Sequence, residues 1–428
     1  MKKVLIIAYY WPPAGGGGVQ RWVKFVKYLR DFGWEPIVYV PQNPDYPYYD
    51  QELCNDIPQG IEVLKGPIIE PNQVLNFFKK DAQKHNNYLA QGKKNTFLQK
   101  CMVFIRANFF IPDARMLWIK PSVKRLSRYL KENHVDVLIS TGPPHSCHLI
   151  GLELHKQSKI PWIADFRDAW SQIEHFDEMM LSSRSKAHHL ALEKQVLDTA
   201  SCVTTVGYYL AQDLSKISDN NIHVIRNGFD PSDFKHLESQ YDDNRFTISY
   251  IGSMLFSQNP DVLWTALTLL YQENFDFASK LQLNMIGTLD KVVHDTILTS
   301  PFSKSTHFEH YVPHSKAIQY QLSADILILA INKSVNNKQI VTGKVYEYLA
   351  AKRPILCIGP LDGEIALILK DVPNAAIFDY EDIDGVKDFI SDVFNKKTSN
   401  DLSSNTNEQF SRIALTKQLS ELMHSLRN

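Results

Sequence analysis

Residues 1–40 read MKKVLIIAYYWPPAGGGGVQRWVKFVKYLRDFGWEPIVYV, and this stretch decides the fold. Val4 to Tyr10 is a continuous apolar run, as expected of a parallel strand buried on both faces. Four glycines, Gly15 to Gly18, follow. Val19, Trp22, Val23, Val26 and Leu29 then recur at helical spacing as far as Phe32, with Gly33 as the stop signal. Pro36 to Val40 is the next strand. A strand, a glycine loop, a helix and a second strand make a βαβ unit of a parallel sheet. The basic start and short apolar run also suggest a leader, but the run ends near Trp11 and meets glycines rather than a small-residue cleavage site, so it reads as a strand.

The same alternation continues outward. Strands are expected at Val135–Ser140, Trp162–Asp165, Cys202–Val206 and His223–Ile225, and helices at Ser122–Asn133, Cys147–Lys156 and Ser182–Thr199. Asp233 to Arg245 is polar, acidic and without apolar period, which marks a linker. Beyond it come strands at Phe246–Ile251, Leu281–Ile286, His307–Tyr311, Asp325–Ala330 and Pro354–Ile358. Helices at Pro260–Glu273, Ser315–Ser323 and Thr342–Ala351 separate them. Residues 401–407 read as a loop, and Ile413 to Leu426 as a last helix. The expected organisation is a first doubly wound α/β domain over 1–235, a second over 236–410, and a terminal segment 411–428 packing back on the first. Two such Rossmann-like domains would face across a cleft at the carboxyl ends of their strands, where ligands bind in open α/β folds.

The chain has 428 residues, 46 Lys and Arg against 47 Asp and Glu, and 44% apolar residues. That excludes a bulk polycation built for nucleic acid and an intrinsically disordered chain. Five scattered cysteines, without a CxxC pair or histidine at metal-ligand spacing, fit a reducing compartment and no structural metal. The most apolar stretch outside the strands, Cys101 to Pro112, is too short to span a membrane and carries Arg106. Charge is nonetheless uneven. Residues 77–131 hold 13 Lys and Arg against Asp81 and Asp113, interleaved with aromatics such as Phe97, Phe109 and Trp118. Such a mix suits either an anionic membrane surface or a helical excursion with a solvated basic face. A cytoplasmic protein, peripheral at most to the inner face of the membrane, is the expectation.

Four motifs carry chemistry. Gly15 to Gly18 let backbone approach a ligand, and the helix that follows offers free N–H groups to an anion; alone, the run is also just a flexible turn. It is not GxGxxG, and no acid follows at the ribose-reading position of strand two, so a dinucleotide cofactor is discounted. In Thr342-Gly343-Lys344-Val345-Tyr346-Glu347, Thr342 can cap a helix, Lys344 sits in its first turn, and Glu347 lies one turn on along the same face. A cation at a helix N-terminus costs stability unless an anion joins it. This is therefore a diphosphate seat, with Glu347 accepting from sugar or ribose hydroxyls, or else an ordinary solvated helix face. In Trp162 to Trp170, Asp165, Arg167 and Asp168 stand where a buried strand opens to the cleft edge, either for chemistry or to pair with one another. Arg226-Asn227-Gly228-Phe229-Asp230 is a turn signature.

Taken in order, the glycine loop, "IRNGFD", "YIGS" at 250–253, "MIGT" at 285–288, "HYVPHSKA" and "GKVYEYLAAKRPIL" resemble the family 4 retaining glycosyltransferases of the GT-B fold, over essentially the whole chain. "FIPDARMLW" and "IADFRDAW" resemble a branch common in bacterial surface-polysaccharide clusters. The resemblance implies that Gly16 and Gly17 face the donor phosphates and that Gly252 lies in the second phosphate loop. It puts Gly287 and Val312 near the base, Lys344 beside the diphosphate with Thr342 and Gly343 at the same turn, and Glu347 on the ribose. The chain departs from the pattern in three places. Gln339 occupies the first of the family's two glutamates, Ser253 and Asn259 stand near its basic pair, and Arg167 or Asp168 replaces its catalytic-region histidine, with His145 and His148 one loop earlier. What is implied is a metal-independent, cofactor-free hexosyltransferase acting on a nucleotide-diphosphate sugar and a saccharide or lipid-linked acceptor. A nucleotide-sugar epimerase or hydrolase, or a non-catalytic sugar- or membrane-binding homologue, is the alternative.

Overall fold

A computed structural model describes residues 1–70, 97–397 and 407–426, apart from 48, 174, 175, 177–179, 236, 311 and 335. The first 20 residues of the expected basic excursion, 77–96, and most of the expected loop, 401–406, fall outside the described residues.

The chain divides into two compact units, Met1–Arg226 with Arg412–Asn428, and Asn227–Ser411. The division falls at 226/227 rather than 235/236 because the chain beyond Asn227 already packs within the second unit. There Phe229 donates its N–H to the Phe410 carbonyl (3.1 Å), and the Phe229 and Phe234 rings meet edge to face.

In the first unit, β1 (Lys2–Ile7), β2 (Trp34–Pro41), β3 (Glu62–Gly66), β4 (Val137–Gly142), β5 (Trp162–Phe166), β6 (Cys202–Thr205) and β7 (Ile222–Val224) form one parallel sheet in the order β3-β2-β1-β4-β5-β6-β7. Val4 to Ile7 are wholly buried, with Leu5 in register with Ile37 on one side and Leu138 on the other. That double burial is the reason the run carries no polar alternation. β1 ends at Ile7, earlier than the apolar run, yet Tyr9 and Trp11 stay buried in the loop that follows. The edge strand β3 was not anticipated, because EVLKG mixes charge and exposure as edges do. The helix expected at Ser122–Asn133 runs from Met116 to Glu132 and includes Pro121. The closing helix Arg412–Ser425 places Leu415, Leu419 and Met423 in this unit's core, and His424 packs on Trp34 with ring centroids 5.1 Å apart.

In the second unit, β8 (Phe246–Ile251), β9 (Leu281–Ile286), β10 (Thr306–Glu309), β11 (Ile326–Ala330), β12 (Ile355–Ile358) and β13 (Ala375–Phe378) form a parallel sheet in the order β10-β9-β8-β11-β12-β13. Strand order reverses between β1 and β4 in one sheet and between β8 and β11 in the other. Loops leaving the two strands at such a reversal diverge and open a crevice at their carboxyl ends. The glycine loop follows β1, Gly142 ends β4, and Gly252 follows β8. Both glycine loops therefore sit at the switch point of their own sheet. Among the described residues no helix is long and apolar enough to cross a membrane.

Candidate active site

In the first unit, the helix Gly17–Leu29 starts at Gly16, which caps it with φ of 96°, a conformation that favours glycine. A Cβ at Gly16 or Gly17 would meet open space. Gly18 is different. A Cβ there would strike the Arg167 guanidinium, which donates to the Gly18 carbonyl (3.0 Å) and to the Pro143 carbonyl (3.5 Å), with Asp168 beside it (3.4 Å). Arg167 thus bridges the loops after β1 and β4, while Asp168 stays exposed. Asp165 does not pair with either neighbour. Wholly buried, it accepts from Arg21 (2.8 and 3.2 Å), Trp22 (2.9 Å), Thr141 (2.9 Å) and Thr204 (2.9 Å), and these donors hold its carboxyl below the usual range. It is a tie between three strands and a helix rather than a reactive group. His148 is buried with Nδ1 against Ser140 (2.9 Å), and burial pushes its pKa down to about 3. His145, stacked on Trp170 (4.6 Å), is likewise held well below the usual histidine range by burial. Both imidazoles are neutral at pH 7 and closed off from solvent.

The second unit builds a different loop. Gly252 and Gly287 have φ of 117° and 123°. The Gly252 N–H donates to the Ile286 carbonyl (2.7 Å), and a Cβ on Gly287 would overlap the Gly252 carbonyl oxygen. Gly252 in turn leaves room for the stem of Lys344, which a Cβ there would strike. Lys344 is the first residue of the helix Lys344–Ala351. Gly343 holds the N-cap position, and the Thr342 hydroxyl just before it accepts from the Lys344 N–H (3.4 Å), the capping bond expected of it. The ammonium lies 4.2 Å from the centre of the Tyr250 ring, donates to the Tyr250 hydroxyl (2.6 Å), and reaches the Ser253 carbonyl (3.3 Å). Desolvation lowers its pKa to about 8, against the opposing pull of Glu347. Among the described residues no carboxylate lies on its nitrogen, so a half-buried cation stands at the positive end of a helix, where an anion would be favoured. Glu347 accepts from His314 (3.1 Å) and Gln321 (2.9 Å), which fixes its carboxylate one turn along.

Two glycine loops at two switch points match a sequence relationship. The profile of Glycosyltransferase Family 4 matches residues 15–233, just over half of the chain. The chain belongs to glycosyltransferase family 4. No curated protein matches the sequence of this family-4 chain. Among solved structures it is similar to WaaG, a glycosyltransferase involved in lipopolysaccharide biosynthesis, at 12% identity and TM-score 0.54, covering 98% of this chain and 99% of that one. A UDP-N-acetylglucosamine 2-epimerase from Listeria monocytogenes, so titled provisionally, matches at 10% identity and TM-score 0.57, over 99% and 96% of the two chains. A mutant of S. aureus TarM in complex with fondaparinux, α-GlcNAc-glycerol and UDP matches at 11% identity and TM-score 0.53, over 100% and 96%. At such identities the likeness shows the fold alone, and that fold is GT-B, two parallel-sheet α/β domains. Because an epimerase shares it, family membership and not architecture is what speaks for glycosyl transfer.

Within the family-4 chain the expected residues fall into two groups. Gly16, Gly17, Arg167 and Asp168 gather at the first unit's switch point; Gly252, Gly287, Thr342, Gly343, Lys344 and Glu347 gather at the second's. Val312 packs half-buried against the second unit's apolar cluster. Sequence reading missed Tyr250, although its tyrosine lies in the quoted "YIGS", and missed His314 in "HYVPHSKA". It missed too the first unit's network in which Tyr9 donates to Glu70 (2.7 Å), with Arg115 3.1 Å from the same carboxylate. Asp113, of "FIPDARMLW", accepts from the N–H and hydroxyl of Ser146 (both 2.8 Å) and so satisfies the start of the helix Ser146–Ser158.

Proposed function

We propose that this family-4 protein is a retaining, metal-independent hexosyltransferase that moves a hexose from a nucleotide-diphosphate sugar to a saccharide or lipid-linked acceptor in surface-polysaccharide synthesis. The observation that carries the reading is Lys344, desolvated on the Tyr250 ring at a helix N-terminus. When the anomeric bond breaks, negative charge grows on the leaving diphosphate. Lys344 and the first N–H groups of its helix are aimed where that charge develops, the arrangement that lowers such a barrier most. Glu347, held by His314 and Gln321, takes the ribose hydroxyls. Gly252 and Gly287 keep side chains away from the nucleotide, and Val312 supplies apolar surface near the base. On the first unit, Gly16 and Gly17 leave backbone open to a ligand, Arg167 adds positive charge, and the exposed Asp168 carboxylate accepts the acceptor's hydroxyl proton. The protein works in the cytoplasm, peripheral to the inner face of the membrane.

The test is product analysis with UDP-, GDP-, ADP- and dTDP-hexoses, with and without EDTA. Nucleoside diphosphate released only in the presence of an acceptor, unchanged by EDTA and leaving the sugar in its original anomeric configuration, is the expected outcome. Release of nucleotide from donor alone would mean hydrolysis, and conversion of the donor to its epimer with the nucleotide still attached would mean epimerisation.

A further inference from the structure

The helix Met116–Glu132 of the first unit carries Leu117, Lys120, Lys124, Arg128 and Lys131 at spacings of three and four residues, so they share one face over about 21 Å. All four cations are exposed, and none has an ion-pair or hydrogen-bond partner among the described residues. They rim a groove of about 710 Å³ whose floor is apolar, built from Ile119, Val123, Leu149, Leu152 and Leu192. Among the described residues that line it the one carboxylate, Glu153, is already 3.6 Å from Lys156. At the start of this stripe the apolar exposure rises. Leu117 is 48% exposed, and the preceding helix, Phe97–Phe109, leaves Val103, Phe104, Ile105 and Phe109 in solvent, Phe109 at 68%.

From this juxtaposition we infer that the face is a docking surface for an anionic lipid bilayer. Four cations in line, uncompensated among the described residues, need a surface of fixed negative charge, and Leu117 on their face, with the exposed phenylalanines and isoleucine of the helix just before it, needs hydrocarbon. A bilayer with anionic headgroups supplies both; a soluble polyanion would leave the apolar residues uncovered. The inference deepens the peripheral-membrane part of the proposed function and uses none of its chemistry, since no residue named here lies at either glycine loop.

The full chain is incubated with vesicles of phosphatidylcholine alone and of phosphatidylcholine with about one third phosphatidylglycerol, and cosedimentation is measured. Binding to the anionic vesicles only, weakening as salt rises, is expected. Replacing all four cations by glutamine (Lys120→Gln, Lys124→Gln, Arg128→Gln, Lys131→Gln) should weaken it by about 10³-fold, and Phe109→Ser with Leu117→Ser by about 10-fold. Equal binding to both vesicles, or unchanged binding by the fourfold variant, overturns the inference. So does displacement by millimolar glycerol phosphate, which would mark a soluble phosphate site, or capture by poly-glutamate without vesicle binding, which would mark an acidic protein. Because these side chains are exposed, the variants should keep the wild-type melting temperature and donor binding. Loss of vesicle binding with donor binding intact therefore separates this inference from the transferase reading.

Discussion

The two glycine loops occupy equivalent places, each at the switch point of a parallel sheet, and each has one cation nearby, but the cations are spent differently. Arg167 donates to the carbonyls of Gly18 and Pro143 and so belongs to the scaffold of its loop. Among the described residues Lys344 finds only a tyrosine ring, its hydroxyl and one carbonyl, and burial lowers its pKa to about 8. A charge satisfied by backbone holds a loop in shape; a charge left desolvated at a helix start is poised for a ligand. On the proposed function the diphosphate sits at Lys344 of the second unit, and the first loop, held in shape by Arg167, presents Gly16, Gly17 and Asp168.

The sharpest way to break the comparison is through the scaffold. Arg21→Ala removes the main partner of a wholly buried Asp165, and leaving that carboxylate uncompensated should cost about 3–5 kcal/mol in chemical unfolding. A loss below about 1 kcal/mol would mean that Asp165 is not the structural tie described. Next in size is Lys344→Ala, expected to lower kcat/KM by about 10²-fold or more with the melting temperature held or raised, because a desolvated ammonium is removed. Arg167→Ala, by contrast, should loosen the first loop and lower the melting temperature as well as the rate. If the two variants behaved alike, the contrast between the loops would fail.

Acidity offers a gentler probe. Lys344 must be protonated to hold an anion, so donor affinity should be flat below about pH 8 and fall about tenfold per unit above it, a trend that calorimetry across pH 7 to 10 would record and that Lys344→Ala should abolish. His148 has the opposite bearing on stability. Its folded pKa, near 3, lies below the usual 6.5, so the unfolded chain gains a proton first as pH falls below about 6.5. Each such buried histidine should cost about 1.4 kcal/mol per pH unit down to its folded pKa. A denaturation series from pH 7 to 4 in which His148→Gln has the same slope as the wild type would contradict this. The smallest effect is expected at Gly17→Ala, where nothing crowds the new methyl: stability should change by less than about 1 kcal/mol.

What could be read from sequence was what is local. β1, its glycine loop and the helix Gly17–Leu29 are legible because burial on both strand faces and one helix face writes itself into neighbouring residues. Lys344 was legible because its helix start is contiguous. The partners that decide what these residues do are distant. Tyr250 is 94 positions from Lys344 and Arg21 is 144 from Asp165, and no periodicity links residues joined only by the winding of a sheet. Asp165 shows the consequence. Its charged neighbours Arg167 and Asp168 suggested a local cluster, whereas the parallel register turns its side chain toward Thr141 and Thr204 on the flanking strands and toward the first helix. Edge strands such as β3 and β13 were illegible for another reason, because neither forms the continuous buried run that marks the central strands.

The most direct test of the account is thermal unfolding of the wild type and of Lys344→Ala with UDP-, GDP-, ADP- and dTDP-sugars, each at high concentration and with EDTA present. One base class should stabilise the wild type, by about 2.7 kcal/mol at a hundred times its dissociation constant, and stabilise the variant far less. Equal stabilisation of both proteins, or no stabilisation of the wild type by any donor, would contradict the assignment of Lys344 as the diphosphate seat.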